Sequence, residues 1–231
     1  MGDLLQALSL FSNINIFKAK TENAKGRFTL CYFPLIGVIV AIVIRLWYIV
    51  VNSFNINSVV ASLVSTVIFT AIIGNKSFNT VIRIFEYIKI TAFVPIAIYF
   101  VVLFGCFVTL GTKGAYIVSA VVILARITAL FMIIDNDRLV EGFYKELTEK
   151  SAKMPVSIIT VVWLMATLTF FEMMSFTKFI MVFITTVIIY YGSYRASKKT
   201  HRLTDESVNF YIVLLEFVIY VEFIILWFIN K

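Results

Sequence analysis

A few carboxylates and one arginine are the residues whose types and spacing could support chemistry in this sequence. Asp137 and Glu141 are four residues apart, so on a helix they would share one face, where carboxylates can hold Mg²⁺ through oxygen ligands. The same pattern is also typical of a solvated face, here with Arg138 and Lys145, and both interpretations stay open. The single histidine of the chain excludes a multi-histidine metal motif.

These carboxylates belong to a polar segment, residues 135–153, in which nine of nineteen residues are charged. The whole chain, in contrast, is 14% charged and 61% hydrophobic, with a mean hydropathy of +0.98. A soluble domain of this size could not bury so much apolar surface, whereas runs of ~20 apolar residues span the ~30 Å hydrocarbon layer of a bilayer. The composition therefore predicts an all-α, polytopic membrane helical bundle, with residues 1–231 forming one membrane domain.

Seven transmembrane helices are predicted, together with short interfacial or amphipathic helices. The N-terminal segment 1–28 contains a short apolar stretch typical of an interfacial helix, and residues 75–91 carry apolar residues at helical spacing. The hydrophobic runs place the spans near residues 29–51, 58–74, 92–111, 115–134, 155–171, 179–194 and 208–229.

The distribution of Lys and Arg predicts the orientation. Loops alternate between basic and nearly uncharged along the chain, which gives 15 Lys and Arg on one side of the membrane and 3 on the other. Because the basic side faces the cytoplasm, we expect an inner-membrane protein with a cytoplasmic N-terminus and an external C-terminus. The net charge of +7 is then explained by loops beside anionic lipid, and no nucleic-acid partner is predicted.

Two charges lie within predicted spans at comparable depth. Arg126 is the one charge of span four, and Glu216 lies in span seven, eleven residues after Asp205. Charges inside lipid are costly and are functional candidates. One interpretation pairs Arg126 with Glu216 as a salt bridge between two helices. The other makes Arg126 an anchor for an anionic substrate group in a cytoplasmic cavity.

Several short motifs follow one another in an order known from one family. The most specific is Phe-Pro-Leu-Ile-Gly at 33–37, where the first span begins. Weaker matches are residues 4–12, Arg126, the Glu-Gly pair at 141–142 and the Leu-Thr-Asp-Glu segment at 203–206. In this order the chain resembles the cobalamin synthases, the adenosylcobinamide-GDP ribazoletransferases, over nearly its whole length.

The resemblance implies a reaction and a ligand. Family members join α-ribazole, or its phosphate, to adenosylcobinamide-GDP with release of GMP, and they use Mg²⁺. The resemblance implies a corrinoid nucleotide as the ligand, with Arg126 and Gly142 as candidate substrate-binding residues. Lys89 is a third candidate, a basic residue in the segment 87–89 that replaces the family's Asp-Ser-Arg. The candidate Mg²⁺ ligands are Asp137, Glu141 and Asp205, which come from two different loops.

The chain departs from the family after the second span. The family carries an Asp-rich loop there, but here residues 72–76 run straight into the predicted amphipathic helix. Because Mg²⁺ is usually held by carboxylates together with phosphate oxygens, loss of that loop predicts ribazole transfer that is weakened or lost. The alternative is a non-catalytic membrane relative, a divergent paralogue that binds a corrinoid or scaffolds a partner enzyme, alone or as a homo-oligomer.

Overall fold

The structure, a computed structural model, describes residues 2–12, 26–73, 78–80, 82–83, 85, 93–136 and 139–229. Within these ranges the chain is helical apart from turns and one isolated bridge between Val140 and Leu203. The all-α membrane-type bundle predicted from composition is thereby confirmed. Helix is the expected outcome, because a helix satisfies its own backbone hydrogen bonds in a solvent that offers none.

The described helices occupy nearly all of the predicted spans. A short N-terminal helix, α1 (Gly2–Phe11), and a 3₁₀ turn (Thr29–Tyr32) precede the bundle, and a short helix, α6 (Phe143–Lys150), interrupts it. The bundle helices are α2 (Leu35–Ser53), α3 (Ser58–Ile73), α4 (Phe93–Leu110), α5 (Thr112–Asp135), α7 (Lys153–Met174), α8 (Phe176–Thr200) and α9 (Asp205–Ile229).

Six of these helices are long and apolar enough to cross a membrane. The exception is α3, whose 16 residues make a shorter apolar helix. At 1.5 Å per residue it is about 24 Å long, somewhat less than the ~30 Å hydrocarbon layer. The described residues between 78 and 85, in the segment predicted as an amphipathic helix, are in helical conformation.

Helix α5 is the centre of the bundle. It contacts α2, α4, α7, α8 and α9, and nearly every side chain between Ala115 and Ile133 is buried. Its closest neighbour is α2, at Gly37, where a Cβ atom would lie 2.4 Å from Cγ1 of Ile123 and 3.0 Å from the carbonyl oxygen of Ser119. A small residue at this point lets two membrane helices pack backbone against side chain.

The outer surface of the bundle is apolar. Large hydrophobic side chains of α3, α7 and α8 are half or more exposed, among them Leu63, Val67, Ile158, Val162, Ile184 and Ile188. An exposed surface of this kind fits acyl chains and not water. The multi-pass membrane character of the protein follows from this surface and from the length of the helices.

Two helices extend beyond the predicted spans at the same end of the bundle. Helix α8 continues to Thr200, past the predicted limit at 194, and stops where His201 adopts a left-handed conformation with φ of 54°. Helix α9 begins at Asp205 and not at 208. Hydropathy marks only the part of a helix that lies in hydrocarbon, whereas the backbone stays helical until a capping conformation ends it.

Several loops converge at this end, which we call the polar end. The backbone N–H of Ala152 donates to the carbonyl of Arg27 at 3.1 Å, and the N–H of Leu203 donates to the carbonyl of Leu139 at 2.8 Å. The guanidinium of Arg83 lies 3.8 Å from the carboxylate of Glu206. Lys/Arg-rich loops thus meet at one end of the described bundle, as the charge alternation requires.

Candidate functional site

Two charged side chains in the described structure, one on α5 and one on α9, are buried and form an ion pair. Nη1 of Arg126 lies 3.0 Å from Oε1 of Glu216, and the two side chains are only 4% and 2% exposed. The salt-bridge interpretation of these two residues therefore describes the observed geometry. An Arg–carboxylate contact of this length is a charge-assisted hydrogen bond, which is stronger than a neutral one.

Among the described residues, the polar contacts of this pair are made inside the bundle. The hydroxyl of Tyr99, on α4, donates to Oε2 of Glu216 at 2.8 Å, while Nη1 of Arg126 also donates to the carbonyl of Val122 at 3.1 Å. The guanidinium carbon of Arg126 lies 5.9 Å from the centre of the Phe33 ring, a cation–π distance. Three transmembrane helices are joined through this one carboxylate.

An aromatic layer separates the ion pair from the polar end. The ring of Phe33 packs against Tyr144 of α6 at 6.2 Å and against Phe11 of α1 at 4.4 Å between centroids. Tyr144 is buried, and burial raises the pKa of its hydroxyl, with the nearby Asp205 carboxylate acting in the same direction. The Tyr144 hydroxyl stays protonated at neutral pH and contacts Oδ1 of Asn209 at 3.3 Å.

The second cluster of candidate residues surrounds the start of α6. Both oxygens of Asp205 accept backbone hydrogen bonds there, Oδ2 from the N–H of Phe143 at 2.8 Å and Oδ1 from that of Tyr144 at 3.1 Å. The first N–H groups of a helix have no partner within the helix, so a carboxylate at this position satisfies them and is favoured by the helix dipole. Asp205 acts as a capping residue for α6, contributed by the first turn of α9.

Gly142 makes this capping contact possible. Its φ of 77° is in a region that side-chain-bearing residues rarely adopt, and a Cβ atom would lie 2.6 Å from Oδ2 of Asp205. The backbone of the loop is also held in place, because the N–H of Glu141 donates to the carbonyl of Leu203 at 3.0 Å. The role of Gly142 in the structure is to admit the Asp205 carboxylate.

Glu141, a predicted metal ligand, lies at the polar end. Its carboxylate faces solvent, 3.6 Å from Nε of Arg202. Lys89 and Asp137 lie outside the described residues, so the predictions for them stay predictions. In the part of the chain that the structure describes, no three His, Cys, Asp or Glu residues are grouped so that they could hold a metal ion.

Two contacts of the site were not predicted from the sequence. Tyr99 is a phenol within an otherwise apolar span, and a buried tyrosine hydroxyl usually requires a polar partner, which was the available signal. Asp3 is the other: its carboxylate accepts the backbone N–H groups of Gly26 and Phe28, each at 3.1 Å, and so fastens α1 to the polar end. The spacing of 23 to 25 residues gives no local pattern from which that contact could be recognised.

No family model matches this chain, and neither the curated proteins nor the solved structures include a match to it. The resemblance to the cobalamin synthases therefore stays a prediction that depends on the short motifs given above.

Proposed function

We propose that this chain is a non-catalytic membrane relative of the cobalamin synthases that binds a corrinoid nucleotide at its polar end. The observation that supports this proposal is that the acidic groups of α9 at and below the polar end already have partners. Asp205 caps α6 through both oxygens, and Glu216 is bonded to Arg126 and Tyr99. A carboxylate with these bonds would have to break them before it could bridge a metal ion to a pyrophosphate.

Charge at the polar end supports the anionic ligand. Exposed basic side chains in the described loops and helix ends there include Arg27, Lys145, Lys150, Lys153 and Arg202. Since a diphosphate-linked nucleotide carries negative charge in its linkage, these side chains suit that part of a corrinoid nucleotide better than its corrin ring. We further propose that the protein lies in the inner membrane with its polar end on the cytoplasmic side, as expected from the basic loops.

The decisive experiment uses the purified full chain in lipid nanodiscs. Adenosylcobinamide-GDP is titrated with and without Mg²⁺, and cobalamin formation is measured after addition of α-ribazole. We expect binding that changes little with Mg²⁺ and no cobalamin product. The double variant Arg27→Gln/Arg202→Gln should bind several-fold more weakly, while Lys113→Gln/Lys178→Gln, at the opposite end, should bind like the wild type.

The same experiment tests the competing proposal, Mg²⁺-dependent ribazole transfer. Cobalamin formation that requires Mg²⁺ and disappears in Asp205→Ala or Glu141→Ala would overturn the non-catalytic proposal. Failure to bind adenosylcobinamide-GDP at all would overturn the ligand assignment. In that case co-purification of a partner enzyme from the native membrane would favour the scaffolding alternative.

A further inference from the structure

An apolar groove runs between α5, α7 and α8 on the side of the bundle. Its volume is about 350 Å³, within the ~300–1,000 Å³ typical of small-molecule pockets. Phe183, Val187 and Tyr191 of α8 line it and are about half exposed, so the groove opens sideways to the surrounding lipid. Leu124 of α5 and Leu164 of α7 line its other sides.

The groove continues into a cationic stripe on α8. Residues three or four apart on a helix lie on one face, so Tyr191 is followed on that face by Tyr194, Arg195 and Lys198. The guanidinium carbon of Arg195 lies 4.9 Å from the centre of the Tyr191 ring, and Nζ of Lys198 lies 4.4 Å from that of Tyr194. By the rise per residue, the Cα atoms of Arg195 and Lys198 lie roughly 6 and 10 Å beyond that of Tyr191 along the helix, and the ring contacts hold both cations on this face.

These cations differ from the other charges near the groove. The carboxylate of Asp135, at the end of α5, accepts a hydrogen bond from the hydroxyl of Tyr190 at 2.9 Å. Within the described ranges, Arg195 and Lys198 each contact a tyrosine ring and form no ion pair. Among the described residues, the apolar groove thus ends in two positive charges, each against a tyrosine ring and neither paired with a carboxylate.

We propose that this groove binds one anionic phospholipid, with an acyl chain along α8 and its phosphate at Arg195 and Lys198. Acyl chains are as apolar as the groove itself, so a general hydrophobic effect gives no reason for one lipid to stay there longer than another. Charge supplies the selectivity, because basic residues near the membrane surface attract anionic lipids. A phospholipid has an apolar acyl chain followed by an anionic phosphate. Along α8 the apolar groove is likewise followed, about one to two helical turns beyond Tyr191, by Arg195 and Lys198.

Native mass spectrometry of the full chain, released from mixed bilayers of phosphatidylglycerol and phosphatidylcholine with identical acyl chains, tests this proposal. We expect one retained lipid per chain, with phosphatidylglycerol favoured at least about fivefold, since one cation near the surface contributes roughly that factor. In Arg195→Gln/Lys198→Gln the preference should fall to less than about twofold while a lipid is still retained.

Two further variants separate the groove from the general charge of the protein. Lys113→Gln/Lys178→Gln, at the opposite end of the bundle, should leave the preference unchanged. Val187→Phe should reduce retention of both lipids, because the added ring occupies the groove. Equal retention of the two lipids by the wild type, an unchanged preference in Arg195→Gln/Lys198→Gln, or a dimer in place of the lipid adduct would each overturn the proposal.

Discussion

Replacement of Glu216 by glutamine is the most informative test of the ion pair. Glutamine has nearly the same shape and can still accept a hydrogen bond, but it removes the charge that balances Arg126. Because both side chains are at most 4% exposed, water does not replace the lost charge in the observed packing. Leaving one member of a buried pair without its partner costs about 3–5 kcal/mol, which is a large share of the ~5–15 kcal/mol by which proteins are stable.

The measurement is the free energy of unfolding of the purified protein in mixed detergent micelles, by equilibrium titration with a denaturing detergent. The matched control is Glu206→Gln, whose partner Arg83 is 3.8 Å away and whose own side chain is 45% exposed. An exposed pair of this kind contributes roughly 0–1 kcal/mol. The triple variant Tyr99→Phe/Arg126→Met/Glu216→Leu should recover most of the loss, since apolar residues of similar volume often replace a buried pair without cost and Tyr99→Phe removes the hydroxyl that would otherwise lose its acceptor. A Glu216→Gln protein as stable as the control would refute the reasoning.

Three further predictions concern the cap of α6 and the orientation of the polar end. Gly142→Ala should lower the free energy of unfolding by about 1–3 kcal/mol, because of the positive φ of Gly142 and the collision of the new Cβ atom with Asp205. Gly111→Ala should cost less, because Gly111 has a positive φ but no neighbour within 4 Å of the new Cβ atom. Asp205→Ala should cost about 2 kcal/mol and accelerate amide hydrogen exchange in the first turn of α6; unchanged exchange there would contradict the capping role. Single cysteines replacing Lys145 and Lys113 should react with impermeant reagents from opposite sides of the membrane, and labelling from one side would disprove the predicted topology.

The helical bundle was predictable because the solvent leaves few alternatives. Apolar runs such as 115–134 must be helical in lipid, and their length identifies them without any tertiary information. The pairing of Arg126 with Glu216 was predictable as one of two options for a similar reason, the cost of an isolated charge at that depth. Hydropathy could not distinguish the two options, because each of them satisfies the charge.

The capping of α6 by Asp205 was not predictable from sequence. Sequence patterns identify helix caps that lie within a few residues of the helix, whereas Asp205 is 62 residues from Phe143. A carboxylate after a basic loop was therefore open to interpretation as a metal ligand. The ends of α8 and α9 at the polar end differed from prediction for another reason, because backbone hydrogen bonds extend both helices past the hydrocarbon that hydropathy detects.

The position of α5 has a consequence for biosynthesis. This helix is enclosed by neighbours that include α9, and Glu216 is made 90 residues after Arg126. At ~5–20 residues per second, Arg126 waits roughly 5–18 s for its counterion during translation. Until α9 is made, α5 carries a charge without its carboxylate, and an arginine at this depth costs at least ~2.5 kcal/mol on insertion scales. We therefore expect stable burial of the central helix to depend on synthesis of α9, and a chain interrupted before α9 to leave Arg126 without its carboxylate.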